Sequence, residues 1–304
     1  MRILAWNILH GGGARRAPEI ALAILAHRPD VVVLTEFRRS LGGQLAGVLG
    51  DHGLRSQLHT APAGSANGLL IAANEPLVPA LHPSPFCDRL ELDRRWLDVI
   101  ATRSGLRITG VHIPDAARGD HHAIARKSLF WRRLLETTHA PETQPRLIVG
   151  DFNTGRARID EDADTFTCAP LLGELVTRGY ADAYRLLHPD GADRSWRSHT
   201  GAGFRLDHAY VSPPLVGRVR AVSYSQRERE NGLSDHAPMV IELASDAAGD
   251  RRETTPSEKN TSKTGSNPVD GPRMLVYNVK TRAVSGPRPD PMSGGRSDSP
   301  GPRV

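Results

Sequence analysis

The sequence of 304 residues predicts an α/β fold, and two observations support that prediction. Short apolar runs rich in β-branched residues recur along the chain, and such runs are typical of buried strands. Segments with apolar residues at helical spacing lie between these runs, so strands and helices alternate. No uncharged apolar stretch has the length of a membrane span, so we expect no membrane-spanning segment.

Six of the predicted strands end in, or lie beside, polar residues of the kind found in active sites. In chain order these strands are Arg2–Trp6, Asp30–Leu34, Leu106–Val111, Leu147–Val149, Arg205–Ser212 and Met239–Leu243. The polar residues are Asn7, Glu36, His112, Asp151 with Asn153, Asp207, and Asp235 with His236. Asp and Asn also favour turns after strands, so a single ending of this kind is explained equally well by a turn. Its recurrence along the chain favours one polar site built on an apolar scaffold.

The remaining predicted elements complete the alternation. Two further strands are predicted over Asn67–Ala73 and Leu97–Thr102. Helices are predicted over Pro18–Ala26, Leu41–Leu49, Asp120–Thr138 and Leu171–Arg178. Proline suits the start of a helix, which supports the first of these, whereas internal glycines weaken the second.

Composition divides the chain into one domain, residues 1–244, and a tail, residues 245–304. The tail is rich in Pro, Gly, Ser and Thr and holds three of the four lysines, and such a composition cannot bury a core. We therefore predict a disordered, dispensable tail. Two cysteines, Cys87 and Cys168, do not make a disulfide framework and are better explained as small apolar residues.

Net charge gives little guidance to the partner. Residues 1–244 hold 29 Lys and Arg against 27 Asp and Glu, a net charge of +2, and the tail adds ten against seven. Global charge is therefore weak evidence for a polyanionic partner. The first strand carries a candidate site residue, so the N-terminus does not have the character of a cleaved signal, and we expect a cytoplasmic location.

The polar residues belong to six short blocks. They are WN at Trp6-Asn7, LTE at Leu34–Glu36, VHIP at Val111–Pro114, GDFN at Gly150–Asn153, RLDHAYVS at Arg205–Ser212 and SDHAP at Ser234–Pro238. In this order and at these separations, the blocks resemble the endonuclease/exonuclease/phosphatase superfamily. That superfamily includes exonuclease III, the apurinic/apyrimidinic endonucleases and pancreatic-type deoxyribonuclease. The resemblance implies a four-layer α/β sandwich, in which two packed mixed β-sheets are flanked by helices and the site lies at one end.

The resemblance also implies a metal-dependent phosphoester hydrolase. Mg²⁺ takes oxygen ligands, usually one or two carboxylates with waters and substrate phosphate, and Mn²⁺ is a possible substitute. Glu36 matches the metal-binding glutamate of the family, with Asn7 beside it and Asp235 as a third contact.

The catalytic set implied by the resemblance is His112, Asp151, Asn153, Asp207 and His236. His236 is a candidate base or phosphate ligand, and we expect Asp207 to fix its tautomer. Asp151 and Asn153 are two residues apart, so an extended backbone would point both to one side, with Asp151 handling protons and Asn153 donating to phosphate. His208 should point away from Asp207 and pack in the interior.

Several positions bear on the substrate. His112 stands where exonuclease III-like enzymes have tyrosine and deoxyribonuclease-like and phosphatase-like members have histidine, and a histidine there could protonate the leaving oxygen. Leu9 replaces an acidic or amide residue near the metal, and Arg38 replaces a phosphate-contacting lysine. Three residues match the pocket that holds a flipped-out sugar in the abasic-site enzymes, although sheet packing explains the two aromatic rings equally well. These residues are Trp196, Phe204 and Leu206.

We therefore predict a monomeric, Mg²⁺-dependent phosphodiesterase that acts on nucleic acid, most simply a DNA endo- or exonuclease. The alternative within the superfamily is a phosphatase or phosphodiesterase acting on a phosphoinositide, a sphingolipid or a small nucleotide. A third possibility is a binding protein that kept the fold and lost activity. The complete set of site residues, with Leu9 as the one departure from the metal site, argues against that third possibility.

Overall fold

The computed structural model describes residues 1–61, 64–82, 84–138, 142–198, 201–244 and 275–276. The strands are β1 (Arg2–Asn7), β2 (Val31–Phe37), β3 (Ser56–His59), β4 (Gly68–Ala73), β5 (Leu77–Pro79), β6 (Trp96–Ala101), β7 (Leu106–His112), β8 (Arg146–Asp151), β9 (Ala181–Asp182), β10 (Trp196–Arg197), β11 (Gly203–Phe204), β12 (Asp207–Val211), β13 (Val219–Tyr224), β14 (Met239–Leu243) and β15 (Leu275–Val276). The helices are α1 (Gly13–Ala26), α2 (Arg39–Asp51), α3 (Leu90–Asp93), α4 (His121–Glu136), α5 (Pro170–Thr177), α6 (Ala183–Leu187), α7 (Pro213–Val216) and α8 (Gln226–Glu230).

The longer strands form two mixed sheets. The first has the order β13-β14-β1-β2-β4-β3-β15, and the second has the order β5-β6-β7-β8-β12-β9. Each sheet has a parallel pair near its centre, β1 with β2 and β7 with β8, between antiparallel neighbours. Because the strands of a parallel pair end at the same edge, the polar residues that terminate them come side by side.

Three apolar clusters define four layers. One cluster lies between the sheets and joins residues such as Val33 of the first sheet to Val149 of the second. On the outer face of the first sheet, Leu4 and Val32 pack with Ile20 of α1 and with α2. On the outer face of the second sheet, α4 and α5 cover a third cluster that includes Trp131. The predicted four-layer α/β sandwich is confirmed.

Predicted and observed elements agree closely, with one notable shift. The first helix begins at Gly13, five residues before Pro18, so this proline lies in the second turn and removes a helix hydrogen bond. Burial of Ile20 and Ile24 against the first sheet offsets that loss.

The predicted disorder of residues 245–304 falls outside the described residues, except for Leu275–Val276. These two residues pair in parallel with β3 at the edge of the first sheet. In the part of the chain that the structure describes, no helix is both long enough and apolar enough to cross a membrane.

Candidate active site

Asp151 lies at the centre of the candidate site, at the end of β8, with its side chain buried. The strand register places His112 of β7 beside it on one flank and Asp207 of β12 on the other. Asp151 Oδ2 accepts a hydrogen bond from Asn7 Nδ2 at 3.0 Å. The same oxygen lies 3.8 Å from His112 Nε2 and 3.9 Å from His236 Nε2. Residues from both sheets therefore converge on one carboxylate.

His236 and Asp207 form a buried pair next to this carboxylate. His236 Nδ1 and Asp207 Oδ2 are 2.7 Å apart, the pairing that the sequence favoured. The Trp6 indole donates to the His236 carbonyl at 2.8 Å, and the Tyr224 hydroxyl donates to the Asp207 carbonyl at 2.7 Å. With Nδ1 held by Asp207, the imidazole presents Nε2 to Asp151.

The buried charges shift the proton affinities of this group. Burial lowers the pKa of His236, but the Asp207 carboxylate outweighs burial and raises it to about 10. Burial raises the pKa of Asp151 to about 7, against the opposing charge of His236. His236 therefore carries a proton at neutral pH, whereas Asp151 is the carboxyl group that can gain or lose one there.

His112 differs from His236 because no carboxylate of the described residues lies at hydrogen-bond distance from it, and Asp151 Oδ2 is 3.8 Å away. Burial, with the nearby Arg95 guanidinium, holds the pKa of His112 well below its ordinary value. The imidazole is therefore neutral at neutral pH. It can donate or accept a hydrogen bond, and its role as the group that protonates the leaving oxygen stays a prediction.

Asn153 reaches Asp151 by a different route from the extended backbone expected from the sequence. Its φ is +46°, in the left-handed region, so the chain turns back after β8. Its amide Nδ2 donates to the Ile113 carbonyl at 3.0 Å and lies 3.4 Å from Asp151 Oδ2. The two side chains are neighbours because of this turn, which Asn tolerates better than most residues.

Glu36 lies against Asn7 on the other side of the centre. Asn7 Nδ2 is 3.3 Å from Glu36 Oε1, and Glu36 also has a left-handed backbone, with φ of +59°. Arg38 does not contact this carboxylate directly. Its guanidinium Nε donates to Asn67 Oδ1 at 2.6 Å, and Asn67 in turn lies 3.3 Å from the His10 ring.

Asp235 is linked mainly to the predicted substrate residues. The Trp196 indole donates to Asp235 Oδ2 at 2.9 Å, and Ser234 Oγ lies 3.4 Å from Asp235 Oδ1. The Trp196 ring stacks on Phe204 with centroids 5.4 Å apart, and Phe166 packs edge-on against Phe204 at 5.6 Å. Leu206 is nearly buried. These half-buried rings thus have packing partners and still border the site.

His208 points away from the site, as expected from the alternation of side chains along a strand. It is fully buried, its Nε2 lies 2.7 Å from the Thr154 carbonyl, and its ring packs edge-on against Phe152.

Three site residues were not identified from the sequence. His10 Nδ1 lies 2.7 Å from Glu36 Oε2, buried Lys127 donates to the Asn153 carbonyl at 2.5 Å, and Arg95 Nη1 donates to the His112 carbonyl at 3.4 Å. Arg95 belonged to a visible arginine pair, and Lys127 is the one lysine of residues 1–244. Neither the arginine pair nor the isolated lysine predicted that these residues would lie in the site.

The donor set fits a hard divalent cation held by few protein ligands. Glu36 offers carboxylate oxygens, and Mg²⁺ usually keeps several waters around one or two carboxylates. Asn7 lies beside it, with the amide Nδ2 turned to Glu36 Oε1 at 3.3 Å and Oδ1 accepting from the Leu9 backbone N–H at 3.0 Å. Among the described residues, no three His, Cys, Asp or Glu side chains form a ready-made metal cage. The fit is therefore to an open site completed by water and substrate.

Comparison with known proteins agrees with this geometry. The sequence model of the Endonuclease/Exonuclease/phosphatase family matches residues 4–236. A variant of the 3′ phosphatase NExo from Neisseria, solved bound to product DNA hairpin, is 22% identical with a TM-score of 0.69. A 3′-5′ exonuclease (NExo) from Neisseria meningitidis is 23% identical with a TM-score of 0.68. An AP endonuclease from Archaeoglobus fulgidus is 17% identical with a TM-score of 0.67.

In all three comparisons the alignment covers 80% of this chain and 99% of the solved chain. These likenesses show a shared fold. A search of curated protein sequences found no significant match.

Proposed function

Because this chain belongs to the endonuclease/exonuclease/phosphatase family, we propose that it is a Mg²⁺-dependent phosphodiester hydrolase acting on DNA. The observation that carries the proposal is the convergence on Asp151. Its Oδ2 contacts Asn7 and faces His236, which is paired with Asp207 at 2.7 Å. A packing role does not explain why so many polar groups are buried around one carboxylate, because burying them costs free energy.

The arrangement supplies what phosphodiester hydrolysis needs: an activated water, donors to the phosphate oxygens and help for the leaving oxygen. Protonated His236 is positioned by Asp207 to donate through Nε2 to a phosphate oxygen. Asp151 handles the proton of the attacking water or of the leaving group, and the Asn153 amide is a second donor. A Mg²⁺ ion held by Asn7 and Glu36 would supply positive charge to the phosphate.

DNA is favoured by the aromatic surface that borders the site. Trp196 and Phe204 stack on each other beside Asp235, and exposed parts of aromatic rings are suited to contact bases or sugars. Arg38 follows Glu36 by two residues, where a cation can contact the phosphate backbone. The Neisseria phosphatase was solved with a DNA hairpin, which supports the same substrate class for this chain.

A small or lipid-borne phosphoester is the second candidate substrate. Two observations favour it: residues 1–244 carry a net charge of only +2, and His112 stands at the position where phosphatase-like relatives have histidine. The same catalytic residues would serve either substrate.

Cleavage assays with purified protein test the proposal. We would compare supercoiled plasmid, a duplex with one abasic site and a soluble phosphoinositide, each with Mg²⁺ or Mn²⁺ and with a chelator. We expect cleavage of at least one DNA substrate, its loss with chelator, and a loss of about 100-fold or more for Glu36→Ala and for His236→Ala. Glu19→Ala and His52→Ala, at exposed positions, are matched controls that should retain activity.

The substrates separate the alternatives. Cleavage of the phosphoinositide with neither DNA cut would overturn DNA as the substrate and leave the catalytic residues as proposed. No metal-dependent cleavage of any substrate by folded protein would favour the binding-protein alternative. Equal activity of the site variants and the controls would show that the measured activity belongs to a contaminant.

A further inference from the structure

We propose that His10 is a nitrogen donor to the divalent cation of this site, and that it gives the site a preference for Mn²⁺ over Mg²⁺. The inference deepens the proposed function and rests on it, because it concerns the cation that Glu36 and Asn7 would hold.

Two groups of His10 contact one oxygen of Glu36. The imidazole Nδ1 lies 2.7 Å from Glu36 Oε2, and the backbone N–H of His10 donates to the same oxygen at 2.8 Å. The other carboxylate oxygen, Oε1, faces Asn7 Nδ2 at 3.3 Å. The imidazole and the backbone amide therefore contact the same carboxylate oxygen, so a nitrogen donor lies beside the carboxylate that would hold the cation.

The backbone is folded to bring this ring back over Glu36. Leu9 and His10 have φ of +46° and +56°, and three glycines with positive φ follow them. A non-glycine residue in this region costs on the order of 1–3 kcal/mol, and such strain is concentrated at functional sites. At Gly11 a side chain would lie 3.1 Å from Arg38 Cβ, so the turn packs closely against the strand end that carries Glu36.

His10 also has the accessibility that a ligand needs. Its side chain is 56% exposed, whereas that of Glu36 is 13% exposed, so solvent and ions reach the ring from outside. Leu9, the neighbouring side chain, has no donor atom. The cation site is therefore accessible to solvent on the side where His10 lies.

The chemistry of the donors predicts the selectivity. Mg²⁺ prefers oxygen ligands and gains little from imidazole. Imidazole nitrogen adds more affinity for first-row transition ions, among which Mn²⁺ gains the least and is nearest to Mg²⁺ in its preference for oxygen. A site of one carboxylate, one amide and one imidazole should therefore discriminate between Mn²⁺ and Mg²⁺ more strongly than the same site without the ring.

The test is metal binding without substrate. We would measure Mn²⁺ and Mg²⁺ affinities by calorimetry, and nitrogen coupling to bound Mn²⁺ by pulsed electron paramagnetic resonance, for the full chain and its variants. His10→Gly suits a positive φ and removes the ring, and His10→Asn replaces the nitrogen with an amide. We expect both to lose about tenfold or more in Mn²⁺ affinity and less than about threefold in Mg²⁺ affinity, with loss of one nitrogen coupling.

Controls separate this inference from the proposed function. His52 lies at the end of α2, a helix of 13 residues that starts next to the site, so it is about 20 Å away along the axis, and His52→Ala should change neither affinity. Equal losses for both ions, or unchanged Mn²⁺ affinity and nitrogen coupling in His10→Gly, would overturn the inference. Failure of the unaltered chain to bind either ion, or unchanged binding in Glu36→Ala, would instead contradict the proposed metal site.

Discussion

Arg205 is the buried residue on which the back of the site depends. Its guanidinium is fully buried and donates from Nε to Asp160 Oδ1 at 2.7 Å and from Nη2 to Asp182 Oδ2 at 2.6 Å. Burial alone would raise the pKa of Asp160 and Asp182, but Arg205 outweighs it and holds both below the ordinary range. Arg205 lies two residues before Asp207, so this network fixes the start of β12.

Replacing Arg205 by Met should destabilise the fold strongly. The substitution leaves two buried carboxylates without their main partner, and breaking a buried ion pair in this way costs about 3–5 kcal/mol of the free energy of unfolding. Arg205→Lys keeps the charge without the forked geometry, so we expect an intermediate loss. Urea denaturation monitored by circular dichroism gives both values.

Arg15→Met is the matched control for this change, because Arg15 is an exposed residue of α1 and its loss should cost no more than about 0.5 kcal/mol. Similar small losses for Arg205→Met and the control would contradict the assigned role of the network.

At the scale of elements, the approach of β7 to β8 determines the geometry of the site. Gly150 pairs with Val111, and the next pair in the register is Asp151 with His112. Gly150 has φ of +142°, and a Cβ atom there would lie 2.1 Å from the Val111 carbonyl oxygen. The atom that this Cβ would meet belongs to the backbone of β7, which cannot move aside as the end of a flexible side chain can. The two strands can therefore approach this closely only with glycine at position 150.

Gly150→Ala should therefore force β7 and β8 apart at the site. We expect a loss of about 2 kcal/mol or more in the free energy of unfolding, and reduced hydrolysis at temperatures where the variant is folded. Gly47→Ala is the control for which we expect the opposite effect, because Gly47 lies in the middle of α2 with free space around it. This variant should raise the free energy of unfolding by about 0.4–1 kcal/mol. Urea denaturation of both variants decides the point, and equal effects would show that close packing at Gly150 is not required.

The elements also show what the sequence could predict. The bounds of β14 were predicted correctly because Met239–Leu243 is a short, mostly apolar run. The catalytic candidates were found because each lies in a short block of recognisable neighbours. His10 and Lys127 were missed because their positions depend on a left-handed turn and on contact across 26 residues, which local patterns do not record. The same kind of turn explains why Asn153 is not extended.

At the scale of the whole molecule, the site exists because the two sheets pack against each other. Asn7 and Glu36 come from the first sheet, whereas His112 and Asp151 come from the second. The contact of Asn7 Nδ2 with Asp151 Oδ2 at 3.0 Å joins the two. The geometry of the candidate site is therefore coupled to global folding, and conditions that weaken the packing of the sheets should weaken the site as well.

The buried ring of His59 should make that global stability depend on pH. The ring is buried at the end of β3 against Phe37, and neither nitrogen makes a well-formed hydrogen bond within the described part of the chain. Burial, with the nearby Arg39 guanidinium, lowers the pKa of His59. A pKa that is lower in the folded than in the unfolded state means that the unfolded chain binds the proton more tightly, so this residue costs stability as pH falls below about 6.5.

His59→Phe should remove this dependence while keeping a ring against Phe37. The difference in unfolding free energy between the original chain and the variant should shift in favour of the variant by up to about 2 kcal/mol between about pH 7.5 and pH 5. Comparing the two proteins isolates His59, because the other titrating groups contribute equally to both. Urea denaturation at the two pH values measures the shift, with His52→Gln as an exposed-histidine control that should show none. If the difference in unfolding free energy between the two proteins is the same at both pH values, His59 binds its proton as readily in the folded protein as in the unfolded chain.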